Sequence, residues 1–325
     1  MRWLVTGGLG FIGSHFIRIA LRERPRLEIV NLDAMTYAGN PANLADIEDD
    51  PRYRFLKGDI CDPAAVREAV DGGVDAILNF AAETHVDRSI IAPEAFLRTD
   101  TLGTHVLLEA ARELATPRYL QVSTDEVYGN VPRGESHESD PLRPRSPYAA
   151  SKAAGDLLVL AYHATYQVPV LITRGSNTYG PHQYPEKIVP LFVTNLIDDR
   201  PVPLYGDGLQ IRDWLYVEDH ARAILTVLEG GETGNVYNIS GEMPQTNLEL
   251  TRTLTRRCGK SMETHVTHVA DRPGHDRRYA VNSAKLQALG WRPQVPFDEG
   301  IAHTIDWYRN NQSWWRPLRE ARAQA

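Results

Sequence analysis

Tyr148 and Lys152 stand one helical turn apart, so in a helix both side chains share a face. Such a pair can oxidise an alcohol: the tyrosine oxygen takes the hydroxyl proton while hydride leaves carbon. A phenol with its ordinary pKa of about 10 cannot do this at neutral pH, and a nearby ammonium is expected to lower that value. Ser146 is placed to cap such a helix, and Pro147 suits its first turn. The hydride needs an acceptor, and TGGLGFIG near the N-terminus supplies a place for one. Gly7 allows a tight turn, Gly10 lets a pyrophosphate approach the backbone, and Gly13 allows close contact of helix and strand. Asp33, twenty residues beyond Gly13, is placed to accept hydrogen bonds from an adenosine ribose. Its carboxylate would repel a 2′-phosphate, so the expected cofactor is NAD rather than NADP.

The elements that must position these groups follow from hydrophobic patterning. Short apolar runs at 2–6, 28–31, 53–56, 76–80, 118–123 and 168–173 read as strands. Between several of them lie helical stretches, at 11–21, 63–70, 94–114 and 148–166. That alternation predicts an α/β fold with a doubly wound parallel sheet of Rossmann type over residues 1–174. Beyond Arg174 the pattern breaks, and Pro and Gly become frequent from Gly180 to Gly208. Residues 175–325 are expected to form mainly a smaller substrate-binding domain over the carboxyl ends of the strands, with segments near 209–238 returning to the first domain. Asp59 and Ile60, after the third strand, are placed to flank an adenine.

The glycine turn, the Tyr148–Lys152 dyad and a hydroxyl residue, Thr124, ending the preceding strand resemble the extended short-chain dehydrogenase/reductase family over nearly the whole chain. The resemblance implies a catalytic triad of Thr124, Tyr148 and Lys152, with Thr124 hydrogen-bonding the substrate hydroxyl. It also implies a homodimer formed through the helices near 94–114 and 148–166. Two carboxylates, Asp125 and Glu126, follow Thr124 in the run VSTDEVYG. Elimination of water from a 4-keto sugar needs one acid and one base, and adjacent carboxylates in unlike surroundings can supply both. An epimerase needs neither. The blocks AAETHVDRSI, NTYGPHQYPEKIVP, YGDGLQIRDWLYVEDHA and DRPGHDRRY resemble the nucleotide-sugar 4,6-dehydratase branch of the family.

For that branch Asp125 is the implied general acid and Glu126 the general base, and dTDP-glucose is the implied substrate; the residues alone leave thymidine or uridine open. NAD is expected to meet Phe11, Ile12, Asp33, Thr36, Asp59 and Ile60, and also Ala81, Ala82 and Thr99. The nucleotide-sugar is expected to meet Thr84, Asn177, Lys187, Leu204 and Tyr205, and further along Arg212, Asn247, Arg272 and His275. Arg212 and Arg272 suit a pyrophosphate as forked donors. Two positions depart from the branch pattern: Thr84 stands in place of serine, and Thr178 in place of a second asparagine.

Composition closes off other classes. Of 325 residues 42% are hydrophobic and 24% charged, as in ordinary globular domains. No run approaches the roughly 18 apolar residues of a membrane span, and the N-terminus turns into glycines too early for a signal peptide. The expectation is a cytoplasmic protein with no membrane partner. Cys61 and Cys258 make no disulfide framework and read as small buried hydrophobes. A net charge of -7 without a basic block argues against nucleic acid as partner. His265 and His268 alternate in ETHVTHV, which reads as a strand with both histidines solvated, so no metal site is expected.

Overall fold

The computed structural model describes residues 1–324, with side chains to residue 320. The apolar runs form β1 (Arg2–Thr6), β2 (Glu28–Asp33), β3 (Tyr53–Lys57), β4 (Ala76–Asn79), β5 (Tyr119–Thr124) and β6 (Val170–Gly175). Further strands are β7 (Asn177–Tyr179), β8 (Val202–Tyr205), β9 (Ile211–Tyr216), β10 (Asn235–Ile239), β11 (Pro244–Thr246) and β12 (Val266–Val269). Seven of them make one sheet in the order β10-β6-β5-β4-β1-β2-β3, with every pairing parallel. A parallel sheet is covered on both faces, which is why β1 and β4 are apolar at Trp3–Val5 and Ala76–Leu78. One face is covered by the helices Phe11–Glu23 and Val217–Gly230, the other by Pro63–Ala69, Thr104–Glu113 and Pro147–Tyr166. Strand order reverses between β1 and β4, and at such a switch point the loops part to leave a crevice at the carboxyl ends.

The rest of the chain builds over that crevice. A three-stranded sheet, β11-β9-β7, and a parallel pair, β12-β8, enclose a second core around Tyr179, Phe192, Trp214 and Trp315.

Two stretches differ from the sequence reading. The expected helix over 94–114 is three joined pieces: Pro93–Phe96, a wider π-helical turn at Leu97–Gly103, and Thr104–Glu113. His265 ends a helical turn, Met262–His265, and is not on a strand. It is half-buried against Asp199, 3.0 Å from the carboxylate, so only His268 is exposed as expected. The period-two pattern is misleading there because Ser261 starts a turn whose backbone closes from His265 N to Ser261 O at 3.1 Å.

Candidate active site

A cavity of about 310 Å³ opens at the carboxyl ends of the large sheet. Its floor is the turn after β1. Gly7 has φ +68, and a Cβ there would lie 2.5 Å from the backbone nitrogen of Ala81, so the turn presses directly on the chain leaving β4. A Cβ on Gly13 would lie 2.5 Å from Gly7 O. At Gly10, by contrast, it would meet only Gly7 O, at 3.1 Å, which leaves the loop open toward the cavity. No side chain caps the helix Phe11–Glu23, so its first N–H groups remain available to phosphate oxygens. Asp33 accepts from Leu9 N at 3.0 Å and Met35 N at 2.8 Å, which fixes its carboxylate at the cavity wall with lone pairs to spare for ribose hydroxyls. Burial raises its pKa despite those two amides. Phe11, Ile12, Thr36, Asp59, Ile60, Ala81, Ala82 and Thr99 line the same end of the cavity. An open glycine cradle, an uncapped helix and a fixed carboxylate fit a dinucleotide.

The groups expected to react line the same cavity. Ser146 caps the helix Pro147–Tyr166, accepting from Ala149 N at 3.1 Å, and Tyr148 and Lys152 both face the cavity. Lys152 Nζ donates to Val122 O at 2.9 Å, anchoring the helix to β5. The phenol is not lowered as the dyad spacing suggests. Burial holds Tyr148 well above its ordinary value, and the charges of Glu126 and Asp100 add to that rise against the pull of Thr124.

Thr124 ends β5, and its Oγ1 accepts from Glu126 N at 3.2 Å to cap the short 3-10 turn Asp125–Tyr128. That turn separates the adjacent carboxylates. Asp125 is 3% exposed, and its Oδ2 is buried with no hydrogen-bond partner. Burial first, then the charges of Glu126 and Asp213, hold Asp125 well above the carboxylate range, against Arg212 and Thr124. Glu126 is only half-buried, and Tyr279 Oη lies 3.3 Å from its Oε2. One carboxyl is therefore suited to keep its proton and the other to accept one.

Residues expected to hold a nucleotide-sugar fall into two groups. Thr84, Asn177 and Lys187 line the cavity, and Lys187 Nζ donates to Thr84 O. Leu204, Tyr205, Arg212, Asn247, Arg272 and His275 lie outside the lining. There Arg272 pairs with Asp87 at 3.2 Å, Tyr205 donates to the same carboxylate at 3.3 Å, and His275 packs edge-on to the Tyr205 ring. Arg212 lies 4.1 Å over the Tyr279 ring and donates to Asp276 O, and Asn247 Oδ1 is buried without a partner. Leu204 is fully buried. Thr178, the departure from pattern, donates to Ser176 O and lies 2.7 Å from His220 Nδ1.

Several wall residues were not anticipated. Glu83, Glu186, His182 and His220 line the cavity. Burial lowers His182 to about 3 and His220 to about 4, so both are neutral at physiological pH. Tyr279 ends a block singled out in the sequence, but only its packing under Arg212 reveals its reach to Glu126.

The family model for GDP-mannose 4,6 dehydratase matches residues 4–304. A dTDP-glucose 4,6-dehydratase of Streptomyces niveus is 51% identical, covering 98% of this chain and 96% of its own. The Streptomyces venezuelae dTDP-glucose 4,6-dehydratase DesIV, solved with NAD, superposes with a TM-score of 0.95 at 51% identity, covering 98% of this chain and all of that one. A Thermus thermophilus UDP-glucose 4-epimerase, also solved with NAD, shares the fold at a TM-score of 0.88 but only 34% identity, over 96% of this chain and 100% of its own. The paired carboxylates beside the Tyr148–Lys152 dyad and these likenesses agree: the chain belongs to the dTDP-glucose 4,6-dehydratase family.

Proposed function

We infer that the protein converts dTDP-glucose to dTDP-4-keto-6-deoxyglucose, and that the unlike surroundings of Asp125 and Glu126 carry the assignment. When bound, NAD supplies a hydride acceptor that gives the hydride back to the same sugar, and a positive charge beside the phenol. Tyr148 takes the proton of the hydroxyl on carbon 4, with Thr124 holding that oxygen and Lys152 favouring the phenolate. The resulting ketone acidifies the proton on carbon 5. Glu126 removes that proton, Asp125 protonates the departing hydroxyl on carbon 6 so that water leaves, and a proton exchanged with solvent then returns to carbon 5. Gly7, Gly10, Phe11, Ile12, Gly13 and Asp33 hold the dinucleotide, with Thr36, Asp59, Ile60, Ala81, Ala82 and Thr99 around its other parts. Arg212 and Arg272 hold the sugar-nucleotide pyrophosphate, with Thr84, Asn177, Lys187, Leu204, Tyr205, Asn247 and His275 around the rest of that ligand. Residues 1–174 with the returning segment make the cofactor domain, and 175–325 mainly the substrate domain.

The protein works as a homodimer in the cytoplasm. Supporting the dimer, Leu97, Leu102, Leu157 and Tyr166 are large, exposed and carried on the two helical stretches expected at the seam. Two free thiols suit a reducing compartment. Incubation with dTDP-glucose and UDP-glucose side by side tests the reading. A 4-keto-6-deoxy product from dTDP-glucose, without stoichiometric added NAD, is expected; a product that keeps its carbon 6 hydroxyl contradicts it.

A further inference from the structure

Beside the dyad lies a carboxyl that the mechanism above does not use. Asp100 is 1% exposed and sits in the π-helical turn Leu97–Gly103, a rare form concentrated at functional sites. The turn is pressed against the catalytic helix Pro147–Tyr166, because Gly155 has no side chain. A Cβ there would lie 2.8 Å from the Asp100 carbonyl oxygen. At that distance Ser151 Oγ reaches Asp100 Oδ2 at 2.7 Å, and it also lies 2.8 Å from Tyr148 O. The other carboxyl oxygen, Oδ1, is buried away from water, and the backbone N–H of Glu83 offsets part of the charge. The carboxyl thus ties the turn to Ser151, and in a low-dielectric site its charge acts strongly on its neighbours.

We propose that Asp100 is a positioning residue for the Tyr148–Lys152 dyad: through Ser151 it holds the first turn of the catalytic helix, and its charge sets how readily Tyr148 accepts the substrate proton. The proposal rests on the dyad's role in alcohol oxidation. Tyr148, Ser151 and Lys152 face Asp100 from the catalytic helix, Glu83 from the loop after β4, and Cys61 from the loop after β3. Burial pushes Asp100 up to about 6, against the pull of the Lys152 ammonium, the Ser151 hydroxyl and the Glu83 backbone N–H, while the Glu83 charge adds to the rise. As pH climbs through that range Asp100 becomes charged, and its charge raises the Tyr148 phenol. Protonated, it leaves the phenolate easier to reach.

The oxidation step can be read alone in a Glu126→Gln background, as single-turnover absorbance of reduced nicotinamide across pH. Adding Asp100→Asn should move the acid limb of that profile down by about one pH unit, with the amplitude kept. Superimposable profiles overturn the proposal, as does a uniform loss of rate at every pH. No absorbance rise in the Asp100-bearing parent overturns the dyad reading beneath it.

A second readout does not depend on turnover. The folded-state pKa of Asp100 lies above its ordinary 3.8, so the unfolded chain releases this proton first as pH rises. The native protein therefore loses stability between about 3.8 and about 6, and Asp100→Asn does not. The Tm difference in favour of Asp100→Asn should grow across that window and stay flat above it; a constant difference overturns the assignment. Should Asp100→Asn fail to fold, Ser151→Ala keeps the carboxyl and removes a hydrogen bond that favours its charged form. In Ser151→Ala the pH at which Asp100 begins to suppress oxidation should move upward, and an unmoved break overturns the proposal.

Discussion

The β1 end of the active-site cavity and the region expected to hold the nucleotide-sugar are built by different means. At the β1 end the surface is mostly backbone: a glycine cradle, open helix N–H groups, and one carboxylate fixed by two amides. Outside the lining, around residues 202–279, the surface is side chains tied by charge, with Arg272 on Asp87, Arg277 on Asp207 and Arg145 on Asp276. Backbone donors cost little entropy to hold but tolerate no added atoms. Long paired side chains tolerate substitution better, and can trade a carboxylate partner for a pyrophosphate. Between the two lies the chemistry, on a strand end and a helix start that belong to the rigid sheet. Damage should therefore be largest at the centre, intermediate at the glycine end and smallest at the charged end.

Tyr148→Phe removes the proposed proton acceptor and keeps the shape. Turnover should fall toward the top of the 10²–10⁴-fold range typical of a lost acid–base group, with substrate affinity little changed. Near-normal turnover would remove the dyad from the mechanism. Asp125→Asn should cost a similar factor in turnover yet leave oxidation at carbon 4 intact, so reduced nicotinamide should accumulate on the enzyme. Its pH dependence has a definite sign. As the proposed acid, Asp125 works only while protonated, and burial beside Glu126 and Asp213 holds its pKa up, so activity should be lost as pH rises through that raised value. The alkaline limb should vanish in Asp125→Asn, and its persistence would assign the acid elsewhere.

Gly13→Ala tests the glycine end. The new methyl would lie 2.5 Å from a backbone carbonyl that cannot swing aside, a strain of about 1–3 kcal/mol by the usual cost of overpacking. Affinity for NAD should fall with the folded state, measured by titration of NAD-free protein; unaltered binding would mean the loop yields. Arg272→Ala tests the charged end. It should raise KM for the nucleotide-sugar by about tenfold or somewhat more, as for one charge-assisted hydrogen bond, with little change in kcat. A fall in kcat with KM unchanged would move Arg272 from binding into chemistry.

How much of this was legible in the sequence follows from how far apart the partners lie. The glycine turn, Asp33, Tyr148 with Lys152, and Asp125 with Glu126 are each local in sequence, and the strand–helix alternation around them is periodic enough to read. Their electrostatic surroundings are not local. Asp125 feels Asp213 and Arg212, and Tyr279 reaches Glu126 across 153 positions. For the same reason the ammonium expected to lower Tyr148 is outweighed by burial and by Glu126 and Asp100. The π-helical turn at Leu97–Gly103 leaves no mark in a hydrophobic pattern that continues through it.

Isotope placement in one turnover tests the central claim, that Asp125 and Glu126 make this oxidising site a dehydratase. The wild-type reaction with dTDP-glucose in deuterated water should place deuterium on carbon 5 of the product, and hydride label on carbon 4 should reappear on carbon 6 of the same molecule. A product without deuterium on carbon 5, or with its carbon 4 label lost to solvent or to another molecule, would contradict the account.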